Sequence, residues 1–230
     1  YSTGREDDPD WQQGDAYMDM IRAAGYPKMG GLRAVKAAGG AVDGMEAFYR
    51  DMHPELMDEQ GKPLDLYHGT PGEPFEAFDD KKIGQRYAGF YGRGHYLTPE
   101  RDNAEEYGNV MGPLHAALKN PFVWDLSDEA KADRTKRKLT EFGVMKGHKG
   151  ELRSWDNLQR WEVDKFTNAA LNAGHDGVIM KTHSGPKEIV VFDPRKIKHA
   201  TKNSGAFDTT NPNIYKASGG PVDGDPQAIP

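Results

Sequence analysis

The sequence predicts an α+β fold, and three observations carry that reading. Short apolar runs of strand character are scattered among segments of helical period, without the regular alternation of a parallel α/β array. Glycine and proline, at 27 and 15 residues of 230, punctuate the chain at short intervals. Only 36% of residues are in the apolar set and the mean hydropathy is −0.83, so the core has to come from a few concentrated segments. Those segments begin at Leu64.

Before that point the chain is polar. Residues 1–14 are acidic, with Trp11 the one large apolar group. DAYMDMIRAAGYP (15–27) has the pattern of a short helix: Asp15 can cap it, Tyr17, Met20, Ile21 and Ala24 share a face, and Gly25 and Pro27 end it. Residues 28–44 are small and flexible in composition, and MEAFYRDMHPELM (45–57) reads as a second helical piece interrupted by Pro54. KAAGGAVDG (36–44) is echoed by KASGGPVDG (216–224), a shared linker composition rather than a repeat architecture. Residues 1–61 are therefore expected to form an acidic, helical N-terminal extension or linker, 62–215 the folded domain, and 216–230 a flexible tail.

Within the domain, LDLYHGT (64–70) alternates apolar and polar residues as a strand does. GFYGRGHYLT (89–98) is a glycine-rich loop entering a short strand. PERDNAEEYG (99–108) is a helix with Thr98 as cap, Pro99 at its first position and Gly108 as its stop. LHAALKNPFVWD (114–125) is a strand passing through a turn at Asn120-Pro121, and residues 127–142 are a charged helix. Residues 154–174 form a longer helix, with Trp155, Leu158, Trp161, Glu162, Phe166 and Ala169 near a 3.6 period and Gly174 at its C-terminus. DGVIM (176–180) and EIVVFD (188–193) are strands separated by a small polar loop.

Composition removes several kinds of chemistry. The chain has no cysteine, hence no disulfide scaffold, thiolate metal site or cysteine nucleophile. No apolar run reaches the ~18–20 residues of a membrane span, and the first ten residues do not resemble a secretory signal. A net charge of −6 argues against a general nucleic-acid coat. The first residue is Tyr1, not Met, as expected of a processed form or a piece of a longer protein. The cluster GRG precedes a strand and lacks GxGxxG spacing, and neither GxxxxGK[ST], HExxH, an EF-hand loop nor GxSxG occurs. His53, His115, His148, His175, His183 and His199 are scattered and read as core or solvated histidines, so no metal site is expected. The basic runs 131–138 and 195–202 read as a solvated helix face and a surface tail.

Three segments remain: YHGT (67–70), GRGHYLTPERDNAEEYG (92–108) and KEIVVFD (187–193), each on or beside an expected strand. Their order and company resemble the ADP-ribosyltransferase superfamily of the His–Tyr–Glu type, which includes poly(ADP-ribose) polymerases and diphtheria toxin. In finer detail LYHGT, GRGHYLT, AEEYG, LKNPF, AGHDGVI, EIVVFDPRKIK and NSGAFDTTNPNI are similar, in that order, to ADP-ribosyltransferase domains embedded in phage polyvalent proteins; the likeness spans Leu64 to Ile214. It implies a split β-sheet around an NAD cleft, with NAD as substrate. By that likeness His68, Tyr96 and Glu188 are the catalytic triad. His68, Gly69, Thr70, Tyr96 and Tyr107 bind NAD: His68 on the adenine-proximal ribose, the Gly69 backbone on the carboxamide, and the two tyrosines on either side of the nicotinamide. Where polymerases carry a hydroxyl three residues before the second tyrosine this chain has Ala104, leaving Thr70 or the Gly69 backbone to hold the carboxamide.

The chemistry of these residue types suits that assignment. Nicotinamide in NAD is cationic, and an aromatic face attracts it by about 0.5–2 kcal/mol. Glycosidic cleavage passes through an oxocarbenium-like state that a carboxylate stabilises. The expected activity is transfer of single ADP-ribose units to a host macromolecule, protein or nucleic acid, with release of nicotinamide. The alternatives are an NAD glycohydrolase or an inactive binding module of a polyvalent protein. The resemblance further implies a monomer or part of a longer polyprotein, with no membrane partner, acting in the host bacterial cytoplasm after delivery with a phage virion. Arginine-directed members carry Glu or Gln two residues before the catalytic Glu; here Pro186 stands there, so arginine is not the expected acceptor. Lys181, His183 and Lys187 around it are expected to favour an anionic one.

Overall fold

A computed structural model describes residues 48–85, 89–144, 158–203 and 208–215. The helix expected at 15–27, the linker 28–44, His148, Trp155 and the tail 216–230 lie outside them. The described chain runs β1 (Leu66–Thr70), β2 (His95–Leu97), α1 (Arg101–Glu105), β3 (Asn109–Ala116), β4 (Phe122–Asp125), α2 (Glu129–Glu141), α3 (Val163–Asn172), β5 (Gly177–Thr182), β6 (Gly185–Val191) and β7 (Ile197–His199). The content is mixed helix and sheet, as expected, in two sheets: β1-β3-β7, and β2-β6-β5-β4.

Alternation along β5 and β6 explains how these elements stack. Successive strand residues face opposite sides. Ile179, Ile189 and Val191 join one core cluster with Leu66, Met111, Leu114 and Ile197 of the three-stranded sheet. Val178, Met180 and Val190 join the other with Phe122, Trp124, and with Leu139 of α2 and Val163 and Phe166 of α3. The four-stranded sheet thus buries both faces, one against the second sheet and one under α2 and α3. That demand makes its strands nearly continuous apolar runs. The two sheets also touch through the backbone, where Tyr67 and Thr98 exchange hydrogen bonds of 2.7 and 2.9 Å. β4 pairs with β5 in parallel, and α2 and α3 make the crossover.

Several elements differ from their sequence expectation. β3 begins at Asn109, not near 114. Gly112-Pro113 reads as a breaker, but the register shift between Leu66 and His68 falls opposite it, where proline offers no N–H. The helix expected from 154 begins at Val163. Glu162 is buried and its Oε2 accepts from the Gln159 N–H at 3.1 Å, in the manner of a capping box. This leaves Trp161 69% exposed instead of on the apolar face. Thr98 does not cap α1 from the expected position; its hydroxyl accepts from the Glu100 N–H, and the regular helix starts only at Arg101. The basic segment 195–202 is not a surface tail. It contains β7, fully buried at Ile197 and Lys198, and Lys198 Nζ donates to the carbonyls of Asn211 and, at 2.9 Å, of Asn213. Burial lowers the Lys198 pKa to about 8.

The expected domain edge at residue 62 does not coincide with the edge of the core. Phe48, Tyr49, Met52 and Leu56 are buried in the cluster between the sheets. The Tyr49 hydroxyl meets His115 Nδ1 at 2.7 Å, and the His53 N–H donates to the Leu118 carbonyl at 2.8 Å. Pro54 starts a single 3-10 turn, Pro54–Leu56, that brings Leu56 inward.

Candidate active site

β1, β2 and β6 carry the three residues of the expected triad. His68 lies in β1, and its Nδ1 is 2.8 Å from the Tyr96 carbonyl of β2. A carbonyl only accepts, so Nδ1 carries the hydrogen. Burial lowers the His68 pKa, against the opposing effect of that hydrogen bond. The neutral ring therefore presents Nε2 as an acceptor, suited to a sugar hydroxyl. Phe75 and Phe78 hold the ring edge-on, with centroids 5.8 and 5.0 Å away. The sequence reading did not single out these two phenylalanines; their spacing in PFEAF, just after the His-Gly-Thr strand, was the available signal.

Tyr96 is fixed at its hydroxyl as well as its backbone. The O–H donates to the Gly92 carbonyl at 2.7 Å and accepts from the Tyr91 N–H at 3.0 Å. Burial, together with the nearby Glu188 charge, raises its pKa, so the phenol stays protonated. The loop 89–94 thus wraps the tip of the ring, which explains Gly89: a Cβ there, where φ is +80°, would lie 2.4 Å from the Tyr96 hydroxyl. Tyr91 anchors the loop against Trp124, with centroids 5.1 Å apart.

Glu188 is the fourth residue of β6, where the sequence reading placed it at the strand start. The loop expected before it is a two-residue turn at 183–184, and Pro186 and Lys187 already belong to the strand. Glu188 pairs with Met180, and Val190 pairs with Tyr96, so Glu188 and Tyr96 share the sheet face under α3. Burial alone raises the Glu188 pKa, and among the described residues no hydrogen bond or ion pair engages its carboxylate. A half-buried carboxylate without a counter-charge is costly in a purely structural role. It suits a site that supplies a cation only during reaction.

Gly69 also has a packing role within the fold. A Cβ there would lie 2.0 Å from the Ala104 carbonyl and 2.7 Å from Tyr107 Cβ. The missing side chain lets α1 seat on β1 and so places Tyr107, which is 46% exposed. Ala104 is buried beneath this contact. Thr70 is buried too, and its hydroxyl accepts from the Gly72 N–H at 3.4 Å. Gly69→Ala is expected to cost about 1–3 kcal/mol, the usual penalty of overpacking. A chemical melt that leaves stability unchanged would show that α1 moves away freely.

The lysines expected to give a cationic edge beside Glu188 are engaged. Lys181 pairs with Glu55, and Lys187 with Glu100. His183 lies in the exposed turn. Among the described residues no three His, Cys, Asp or Glu side chains could hold a metal ion, and no helix is long and apolar enough to cross a membrane.

The mixed fold thus carries a strand histidine, a strand tyrosine and a strand glutamate, the last without a counter-charge among the described residues, on neighbouring strands. Residues 58–207 match the family described as ADP-ribosyltransferase in polyvalent proteins, and the chain belongs to that family. No curated protein and no solved structure matches it.

Proposed function

We propose that this domain transfers ADP-ribose from NAD to a macromolecular acceptor in single units, releasing nicotinamide. The observation that carries the proposal is Glu188, half-buried and without a counter-charge among the described residues, on the sheet face it shares with Tyr96. Its carboxylate accepts from the 2′-hydroxyl of the nicotinamide ribose and gains interaction as C1′ becomes cationic. The C1′–N1 bond breaks with its electron pair leaving on nicotinamide, which quenches the ring's positive charge. The acceptor then donates an electron pair to C1′ and releases a proton. His68 Nε2 accepts from the adenine-proximal ribose, and the pinned Tyr96 ring and Tyr107 flank the nicotinamide. Tyr107→Ala is accordingly expected to weaken NAD binding about tenfold, with a smaller effect on turnover.

The test is nicotinamide release from NAD by the purified protein, with and without bacterial lysate. Release only with lysate supports transfer. Equal release without acceptor points to an NAD glycohydrolase, and none in either case to an inactive binding module. Pro186, in strand β6 two residues before Glu188, has neither a side-chain acceptor nor an N–H, so arginine is not the preferred acceptor. Mass spectrometry of labelled lysate checks this: ADP-ribose found mainly on arginine would overturn it.

A further inference from the structure

We infer that the Lys187–Glu100 ion pair is a tether that positions the Tyr107 wall relative to Glu188. This rests on the reading of the site given above. Lys187 immediately precedes Glu188, at the register shift where β6 carries one residue more than β5 between the Pro186 and Glu188 pairs. Its ammonium pairs with Glu100, the residue that opens α1. Glu100 does not cap the helix. Its Oε1 takes Lys187, and its Oε2 accepts from Asn103 Nδ2 at 2.6 Å, so the carboxylate grips both the strand and the first turn. At its other end α1 rests on Gly69 and delivers Tyr107.

These contacts close a ring. Glu188 is continuous with Lys187, Lys187 holds Glu100, α1 runs to Tyr107, and Tyr107 sits on Gly69 beside His68. His68 bonds the Tyr96 carbonyl, and β2 pairs with β6 to return to Glu188. The other joints are backbone pairing, close packing and the part-buried His68–Tyr96 hydrogen bond. The joint between β6 and α1 is a pair of side chains 29% and 42% exposed, which makes it the softest of the set. α1 has five residues, too few to keep its own geometry without outside support. Losing the tether therefore loosens Tyr107 and leaves Glu188, held by its ladder, in place. Tyr107 holds bound NAD while the nicotinamide is still cationic and gives no added hold as that charge is lost, so the effect falls on KM and not as a loss of kcat.

The experiment is a double-mutant cycle with Glu100→Gln, Lys187→Gln and the double variant. Steady-state nicotinamide release is measured alongside hydrogen exchange of the amides at 104–108. Each single variant is expected to raise KM for NAD about fivefold, with kcat within about twofold, and to speed exchange at 104–108. The double variant is expected to be no worse than either single one. Additive effects, a fall in kcat at unchanged KM, or unchanged exchange would each overturn the tether. Should the wild-type chain release no nicotinamide, the reading of the site fails, and the tether is still decided by the exchange data and their non-additivity.

Discussion

Glu188→Gln is expected to lower nicotinamide release by about 10²–10³-fold while NAD affinity stays within about threefold. The amide keeps the shape and most of the hydrogen bonding of the carboxylate but loses the charge that a developing cation needs. The same substitution should not destabilise the fold. Burial raises the Glu188 pKa above the ordinary 4.5, so the folded chain holds that proton more tightly than the unfolded one. That contribution is fully present below 4.5 and is lost as pH rises through the folded value. At neutral pH the ionised group thus opposes folding, and the glutamine variant should melt at the same temperature or higher. Catalysis requires the ionised form, so the acid limb of the wild-type rate profile should lie above 4.5. A variant retaining most of the activity would remove Glu188 from the mechanism; one that fails to bind NAD would make it a binding residue.

A fragment beginning at residue 62 is expected not to fold, whereas one beginning near 45 should. Phe48, Tyr49, Met52 and Leu56 are each at most 5% exposed. Burying such a side chain is worth about 1.5–3 kcal/mol, so the four together contribute roughly 6–12 kcal/mol. That rivals the whole stability of an ordinary domain, about 5–15 kcal/mol. The backbone joins in as well: the Leu64 N–H donates to the Leu56 carbonyl at 2.8 Å, and Met57 bridges to Pro63. The segment precedes the family match at 58 yet completes the core between the sheets. Circular dichroism and urea melts of the two fragments decide the matter. A cooperative transition from the 62–215 fragment would show that the shorter core suffices.

Much of the candidate site was legible because its residues sit in short, ordered strings. YHGT and KEIVV fall within strands and GRGHYLT runs from a loop into one, and strand periodicity is local. The helix 127–142 was equally readable, since Asp128 caps it through the Lys131 N–H and the stop at Gly143 is sequential. Elements that depended on distant partners were not readable. Lys198 reads as a surface cation because nothing nearby in sequence announces the carbonyls of Asn211 and Asn213 that let it be buried. Lys181 and Lys187 read as free charges because Glu55 and Glu100 lie 126 and 87 residues away.

By itself, the sequence determined the family, the residue types of the candidate site and the strands beside which they fall, all through patterns a few residues long. Only the tertiary structure decided why Gly69 has no side chain, that Glu188 lies inside its strand and not at its end, and that residues 48–56 belong to the core. The physical reason is common to all three. Steric exclusion, strand extension by hairpin pairing and burial are settled by atoms that meet across the fold, and local periodicity holds no record of which distant surface will close over a given residue.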